Sequence, residues 1–301
     1  MWGKFYALFA VIIAVMSQLF VKKLTVIDFS YLCPERGLLG ESWQVDIFLK
    51  GNLDQQGMVL DFSDVKKKVK NLIDEEFDHK LIIPARYAKC TLKPDGKALH
   101  CLFEMVNGEQ ISHIAPDTAY CLLDSERVTT DALASAIQAK LQPVLPQNVE
   151  EIRLSIYPEM IDGAYYHYSH GLKQHEGNCQ RIAHGHRSKI EIFEDGEPFE
   201  SLEQFWAEQW RDIYIGTRSD ILQESQREGQ NYLTFRYQAC QGDFEISLPA
   251  SRCYLIDTDS TVENLAEHIA SESARLNPGK KLEIFAYEGI DKGAVANTSA
   301  D

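Results

Sequence analysis

The chain has 301 residues, 45% of them hydrophobic, and a formal net charge of −15. That length accommodates two ordinary domains. The acidic balance argues against a nucleic-acid or anionic-membrane partner, because phosphate backbones demand a basic face; it leaves a small phosphorylated substrate open. The seven cysteines (Cys33, Cys90, Cys101, Cys121, Cys179, Cys240 and Cys253) are odd in number and scattered, with no CxxC pair. This pattern points to reduced thiols in the cytoplasm rather than a disulfide framework.

Residues 1–18 form an apolar N-terminal segment. Phe5 to Val15 is wholly apolar behind Lys4, like a signal-peptide core or a short membrane anchor. A span needs about 20 apolar residues, and no small-x-small cleavage site follows. Met16 opens a sensible soluble chain, and a start there is the favoured reading.

The remaining sequence divides into two copies of one unit, residues 19–164 and 165–301. In the first, Asp61 and Ser63 are cap candidates for a helix with Val65, Val69, Leu72, Ile73 and Phe77 on one face. A second helix runs from Thr130 to Leu141. Lys93-Pro94-Asp95-Gly96-Lys97 reads as a hairpin turn, so the strands are expected to be antiparallel. Leu39 to Ile47 lies over His184 to Ile192 without a gap, and Val128 to Ala134 over Ser260 to Ala266. Both units end in a strand, an acid (Glu159 or Glu288) and an Ile-Asp pair. Each unit is expected to be α+β: one antiparallel sheet with two helices on one face. The other face and the edges need partners, which predicts a closed oligomer. Trp206 and Trp210, four apart on a helix, read as core.

Chemistry-bearing residues concentrate in the second unit. His170, Cys179, His184 and His186 fall within 17 residues. His184 and His186 are two apart at the start of an alternating stretch, so they share one face of a strand, and His170 can join them from a neighbour. Three neutral imidazoles with an open fourth position suit a catalytic zinc. A His-rich surface loop is the bland alternative, since His167 and His175 lie nearby. At the metal positions the first unit has Tyr31, Leu39 and Glu41, so it lacks such a site. It instead carries Asp78-His79 at a helix end, with Tyr214 to Thr217 near that place in the second unit.

These residues resemble the 6-pyruvoyl-tetrahydropterin synthase and 6-carboxytetrahydropterin synthase family, built on the tunnelling (T) fold. The similarity rests on His170, Cys179, His184-Gly185-His186, Gly57-Met58-Val59-Leu60-Asp61-Phe62, Asp78-His79, Thr261-Val262-Glu263-Asn264-Leu265 and Glu288. It covers roughly residues 19 to 298 as two tandem T-fold units. The departure is the division of motifs between the copies. The resemblance implies four-stranded antiparallel sheets assembled into an oligomeric β-barrel. It implies a zinc lyase acting on 7,8-dihydroneopterin triphosphate, with Zn2+ held by His170, His184 and His186. Cys179 and the Asp78-His79 pair would move protons. Glu288 would bind the pterin's amino edge through paired hydrogen bonds, and Thr261, Thr129 and Thr130 are further pocket candidates, although capping is their first role. The 6-carboxy product, on the queuosine-precursor route, is the preferred reading and the 6-pyruvoyl product its alternative. A pterin-binding protein without turnover and a cyclohydrolase-like zinc hydrolase are the competing functions.

Overall fold

A computed structural model describes residues 16–298, so the readings made of residues 1–15 lie outside the described residues. β1 (Ser17–Cys33) and β2 (Gly37–Gly51) form a long antiparallel hairpin. Then α1 (Phe62–Asp64), a π-helical stretch (Val65–Val69) and α2 (Lys70–Glu76) run on as one helix. Asp61 caps it by accepting from the Ser63 amide, and Val65, Val69, Ile73 and Phe77 are buried. β3 (Leu81–Pro84), a meander of β4 (Cys90–Asp95), β5 (Ala98–Glu104) and β6 (Gln110–Pro116), and β7 (Tyr120–Leu123) follow. α3 (Thr130–Leu141) and β8 (Val149–Pro158) complete the first half.

The second half repeats this order. It contains β9 (Tyr165–His170), β10 (His184–Glu194), a short β11 (Glu197–Pro198), α4 (Glu200–Gln209), β12 (Ile213–Thr217) and a meander of β13 (Ile221–Arg227), β14 (Gln230–Ala239) and β15 (Gly242–Pro249). It ends with β16 (Cys253–Ile256), α5 (Val262–Leu276), β17 (Leu282–Tyr287) and β18 (Gly293–Asn297). The strand orders are β7-β3-β1-β2-β8 and β16-β12-β9-β10-β17-β18, while the two meanders join through β6 and β15 into a third sheet. No described helix is long and apolar enough to cross a membrane.

The expected four-stranded antiparallel sheet is corrected here: each half builds a larger mixed sheet. β3 runs parallel to β1 and to β7, and β12 runs parallel to β9 and to β16. The reason is topological. β2 returns antiparallel to β1, and the helix crossover then brings β3 back alongside β1 in β1's own direction. A meander of three strands, an odd number, returns β7 parallel to β3. Only its hairpin turn at residues 93–97 is legible beforehand.

Helices cover one face of each main sheet. α3 places Leu133, Ile137 and Leu141 on the first, with Ile27, Val45 and Ile47 below. α5 and α4 bury Leu265, Ile269, Trp206 and Trp210 on the second. A fully buried aliphatic or aromatic side chain of this kind stabilises by about 1.5–3 kcal/mol. The opposite faces meet each other where β1 and β2 pack on β9 and β10. Ser30 Oγ lies 2.7 Å from Ser169 Oγ at this contact. A Cβ on Gly40 would stand 1.8 Å from the Tyr168 carbonyl oxygen and one on Gly185 2.7 Å from Gly40 Cα, so backbone approaches backbone only because both are glycine.

Candidate active site

Strand register assembles the histidines. His170 pairs opposite His184, and His186 sits two residues further along β10. Their rings lie 4.4 Å (His170–His184), 5.4 Å (His170–His186) and 5.7 Å (His184–His186) apart between centroids. One ring nitrogen from each comes within 4.8 Å of the others. His170 Nδ1 donates to the Ser260 carbonyl at 3.0 Å, and His184 Nδ1 to the Arg181 carbonyl at 3.0 Å. Those acceptors fix the proton on Nδ1 and leave Nε2 as a lone pair. Both Nε2 atoms, and both His186 nitrogens, are buried without a hydrogen-bond partner. Burial pushes His170 and His184 well below the usual histidine range, so both are neutral at neutral pH. Orphaned buried acceptors are costly. The three rings, convergent and each with an unpartnered buried nitrogen, form a donor set that fits zinc.

The first half delivers Asp78 and His79 to the same pocket. The helix ends at Phe77, and His79 takes a left-handed φ of 52°, the conformation common just past a helix C-terminus. Asp78 Oδ2 lies 2.6 Å from His79 Nδ1, while its Oδ1 accepts from the Asp28 amide at 2.8 Å. The dyad is thereby aimed: the His79 ring stands 5.2 Å from that of His184. Cys179, in the short 3-10 turn Asn178–Gln180, brings its sulfur within 4.8 Å of ring nitrogens of His79 and His184. Burial alone would lower the His79 pKa, but the hydrogen bonds to Asp78 and to the Cys179 sulfur outweigh it and raise it to about 10. His79 is therefore an imidazolium at neutral pH, able to give up a proton.

Glu288 follows β17, with Oε1 3.7 Å from His186 Nε2. Thr261 caps α5, and its neighbour Ser260 holds His170. Thr129 caps α3 and Thr130 opens it. In the internal correspondence these two belong beside Tyr31, the counterpart of His170, rather than beside the histidines.

Five supporting residues take roles that sequence reasoning misses. Asp28 on β1 is 3% exposed, and its Oδ1 lies 3.3 Å from His186 Nδ1. Burial would raise its carboxyl, but His186 and Lys292 outweigh this and hold it below the usual carboxylate range. Lys292 Nζ donates to Asp28 Oδ2 at 2.8 Å and Ser42 Oγ to Oδ1 at 2.5 Å. Arg181 Nη1 donates to the His79 carbonyl at 3.2 Å. Ser260, which holds His170, is the fifth. Lys292 alone left a trace, as the extra residue in Ile290-Asp291-Lys292-Gly293 against Ile161-Asp162-Gly163.

The counterpart positions form a second, different cluster. Matching registers pair Tyr31 with His170, Leu39 with His184, Glu41 with His186 and Asp28 with His167. Leu81 beside Ser30 matches Tyr214 beside Ser169. The counterpart of His79 is therefore Asp212, also left-handed at 56°, not the Tyr214 to Thr217 stretch. Arg36 forks onto Asp212 at 2.8 and 2.5 Å. Glu41 Oε1 lies 3.5 Å from His167 Nδ1, which donates to the Gly40 carbonyl at 2.9 Å. Burial raises the Glu41 pKa to about 7, against the opposing pull of Arg187. In the unfolded chain this carboxyl titrates near 4.5. The stability tied to its protonation is complete below that value and is lost as pH rises through about 7. Glu41→Gln should therefore raise stability by about 1–3 kcal/mol at pH 8 and by almost nothing at pH 4, measured by urea unfolding at both.

Residues 31–168 match the family model described as 6-pyruvoyl tetrahydropterin synthase. The matched stretch holds Asp78 and His79 and ends at Tyr168, just before His170. The "Putative 6-carboxy-5,6,7,8-tetrahydropterin synthase" of Pyrococcus abyssi is 22% identical over 133 residues, 44% of this chain and 76% of that protein. Among solved structures, a catalytic-residue mutant of Plasmodium vivax 6-pyruvoyltetrahydropterin synthase is 17% identical. It covers 48% of this chain and 99% of its own, with a TM-score of 0.38. The Plasmodium falciparum 6-pyruvoyl tetrahydropterin synthase is 18% identical, covering 47% of this chain and 90% of its own at a TM-score of 0.39. Residues 31–168 are thus similar to the 6-pyruvoyl tetrahydropterin synthase family, a likeness that supports an enzyme of the tetrahydropterin synthase type.

Proposed function

We propose that this chain is a zinc-dependent lyase that removes triphosphate from 7,8-dihydroneopterin triphosphate to give a 6-substituted tetrahydropterin. It would act through two tandem T-fold units, residues 19–164 and 165–301, that share one composite site. The observation that carries this reading is the meeting, within one chain, of three orphaned imidazoles with Cys179 and the Asp78–His79 dyad. His170, His184 and His186 would hold the metal, which when bound supplies a Lewis acid that polarises substrate oxygens. His79, an imidazolium clamped by Asp78, donates a proton to one face of the substrate side chain. Cys179, whose sulfur lies within 4.8 Å of ring nitrogens of His79 and His184, takes the partner role in proton transfer. Glu288 accepts the paired N–H groups of the pterin's amino edge. The 6-carboxy product is preferred. Assembly into a homo-oligomeric barrel would cover the remaining sheet edges, in a cytoplasm that keeps the seven thiols reduced.

The test is triphosphate release from 7,8-dihydroneopterin triphosphate by the zinc-loaded full chain, with the pterin product identified by mass. Stoichiometric release with a carboxyl or pyruvoyl side chain on the product supports the lyase. Bound zinc with no release overturns it in favour of a pterin-binding protein, the reading that the altered Glu41–His167 cluster favours. Formate release from a purine nucleotide would instead identify a cyclohydrolase-like hydrolase.

A further inference from the structure

Asp28 touches both functional groups of the pocket, through its backbone on one side and its side chain on the other. Its amide donates to Asp78 Oδ1 at 2.8 Å, and its carbonyl accepts from the His79 amide at 2.7 Å. Its carboxylate faces His186 Nδ1 at 3.3 Å. Ser42 and Lys292 also donate to this carboxylate, at 2.5 and 2.8 Å. The fit is tight: a Cβ on Gly289 would stand 2.6 Å from Asp28 Oδ1, and Gly289 has a φ of 78° that favours glycine. His170 and His184 take their orienting acceptors, Ser260 and Arg181, from the second half, the half that carries the histidines. His186 has no such acceptor there; what faces its Nδ1 comes from β1 of the first half.

We propose that Asp28 is the positioning residue of the histidine cluster: from the opposite half of the chain, its carboxylate fixes the His186 ring for metal binding and ties that ring to the Asp78–His79 dyad. The inference rests on the zinc reading above. A carboxylate behind one imidazole nitrogen sets the tautomer, leaves the other nitrogen as the donor and raises its basicity. Lys292 neutralises the far oxygen, so the carboxylate is not an isolated buried charge. The arrangement gives the first half, which carries no metal ligands, a part in the metal site of the second.

Asp28→Asn keeps the shape and removes the charge. Zinc competition against a chromophoric chelator should show the dissociation constant of the full chain rising by about 10–100-fold. The visible spectrum of the cobalt-substituted protein should change in band position. Lys292→Met, which leaves the Asp28–His186 contact in place, should change zinc affinity far less. Melting in excess chelator separates folding from binding. Equal zinc affinity for Asp28→Asn and the native chain, with an unchanged cobalt spectrum, overturns the proposal. So does a loss of melting temperature in chelator with zinc affinity intact, which would make Asp28 merely structural. Failure of the native chain itself to bind zinc would sink the metal reading, a separate and distinguishable outcome.

Discussion

His79→Ala is expected to lower kcat for triphosphate release by about 10²–10⁴-fold, the usual contribution of a positioned general acid or base, while one zinc per site remains. The separation follows from geometry. His79 stands beside the His184 ring without belonging to the trio of His170, His184 and His186. Removing it should cost proton transfer and leave the metal-binding histidines in place. Its backbone is left-handed, where alanine is strained by about 1–2 kcal/mol, so a fall in activity could come from a shifted helix end. His79→Asn answers this, because asparagine tolerates that conformation yet cannot carry an imidazolium proton. Both variants should lose turnover together. Full turnover in either one, with zinc bound, would show that the first half contributes no acid and would remove the composite site.

The histidine cluster was legible because a period-two strand pattern and a third histidine are local signals. His184 and His186 had to share a face once the stretch from Arg187 to Phe193 alternated. The capped helices were legible for the same reason: Asp61, Thr129 and Thr261 each announce a helix start. The parallel strands were not. β3 and β7 are four residues each, too short to show their direction, which is set by the crossovers that precede them. The turns of the second meander, β13 to β15, carry no Pro-Asp-Gly signal like that at residues 94–96. Asp28 was invisible for a deeper reason. Its partners lie 50, 158 and 264 positions away, in Asp78, His186 and Lys292, and only the packing of β1 against β10 brings them together. An alternating β-strand contains many such acids facing solvent, and nothing local marks the one that turns inward.

The second large effect is expected at the metal itself. His184→Ala should weaken zinc binding by more than the roughly 10–100-fold that a second-layer partner is worth, and abolish triphosphate release with it. A thermal measurement can see the same loss without any assay of activity. A ligand that binds only the folded chain stabilises it by about 4 kcal/mol at a thousandfold excess over its dissociation constant. Zinc should therefore raise the melting temperature of the native chain by several degrees and leave the variant's unchanged. The metal-free comparison is the sharper one. In the native apo-protein His184 Nε2 is buried and unpartnered, and that desolvated acceptor costs about 1–3 kcal/mol. Alanine removes this cost and leaves a cavity whose cost has the opposite sign. With the two nearly offsetting, the apo-variant should melt within a few degrees of the native apo-protein. A variant that unfolds far below the native chain in chelator would mean that His184 is a core residue in its own right. A variant that still gains stability from zinc would mean that the cation is held by His79, Cys179 or other groups, and the assignment of His170, His184 and His186 would fall.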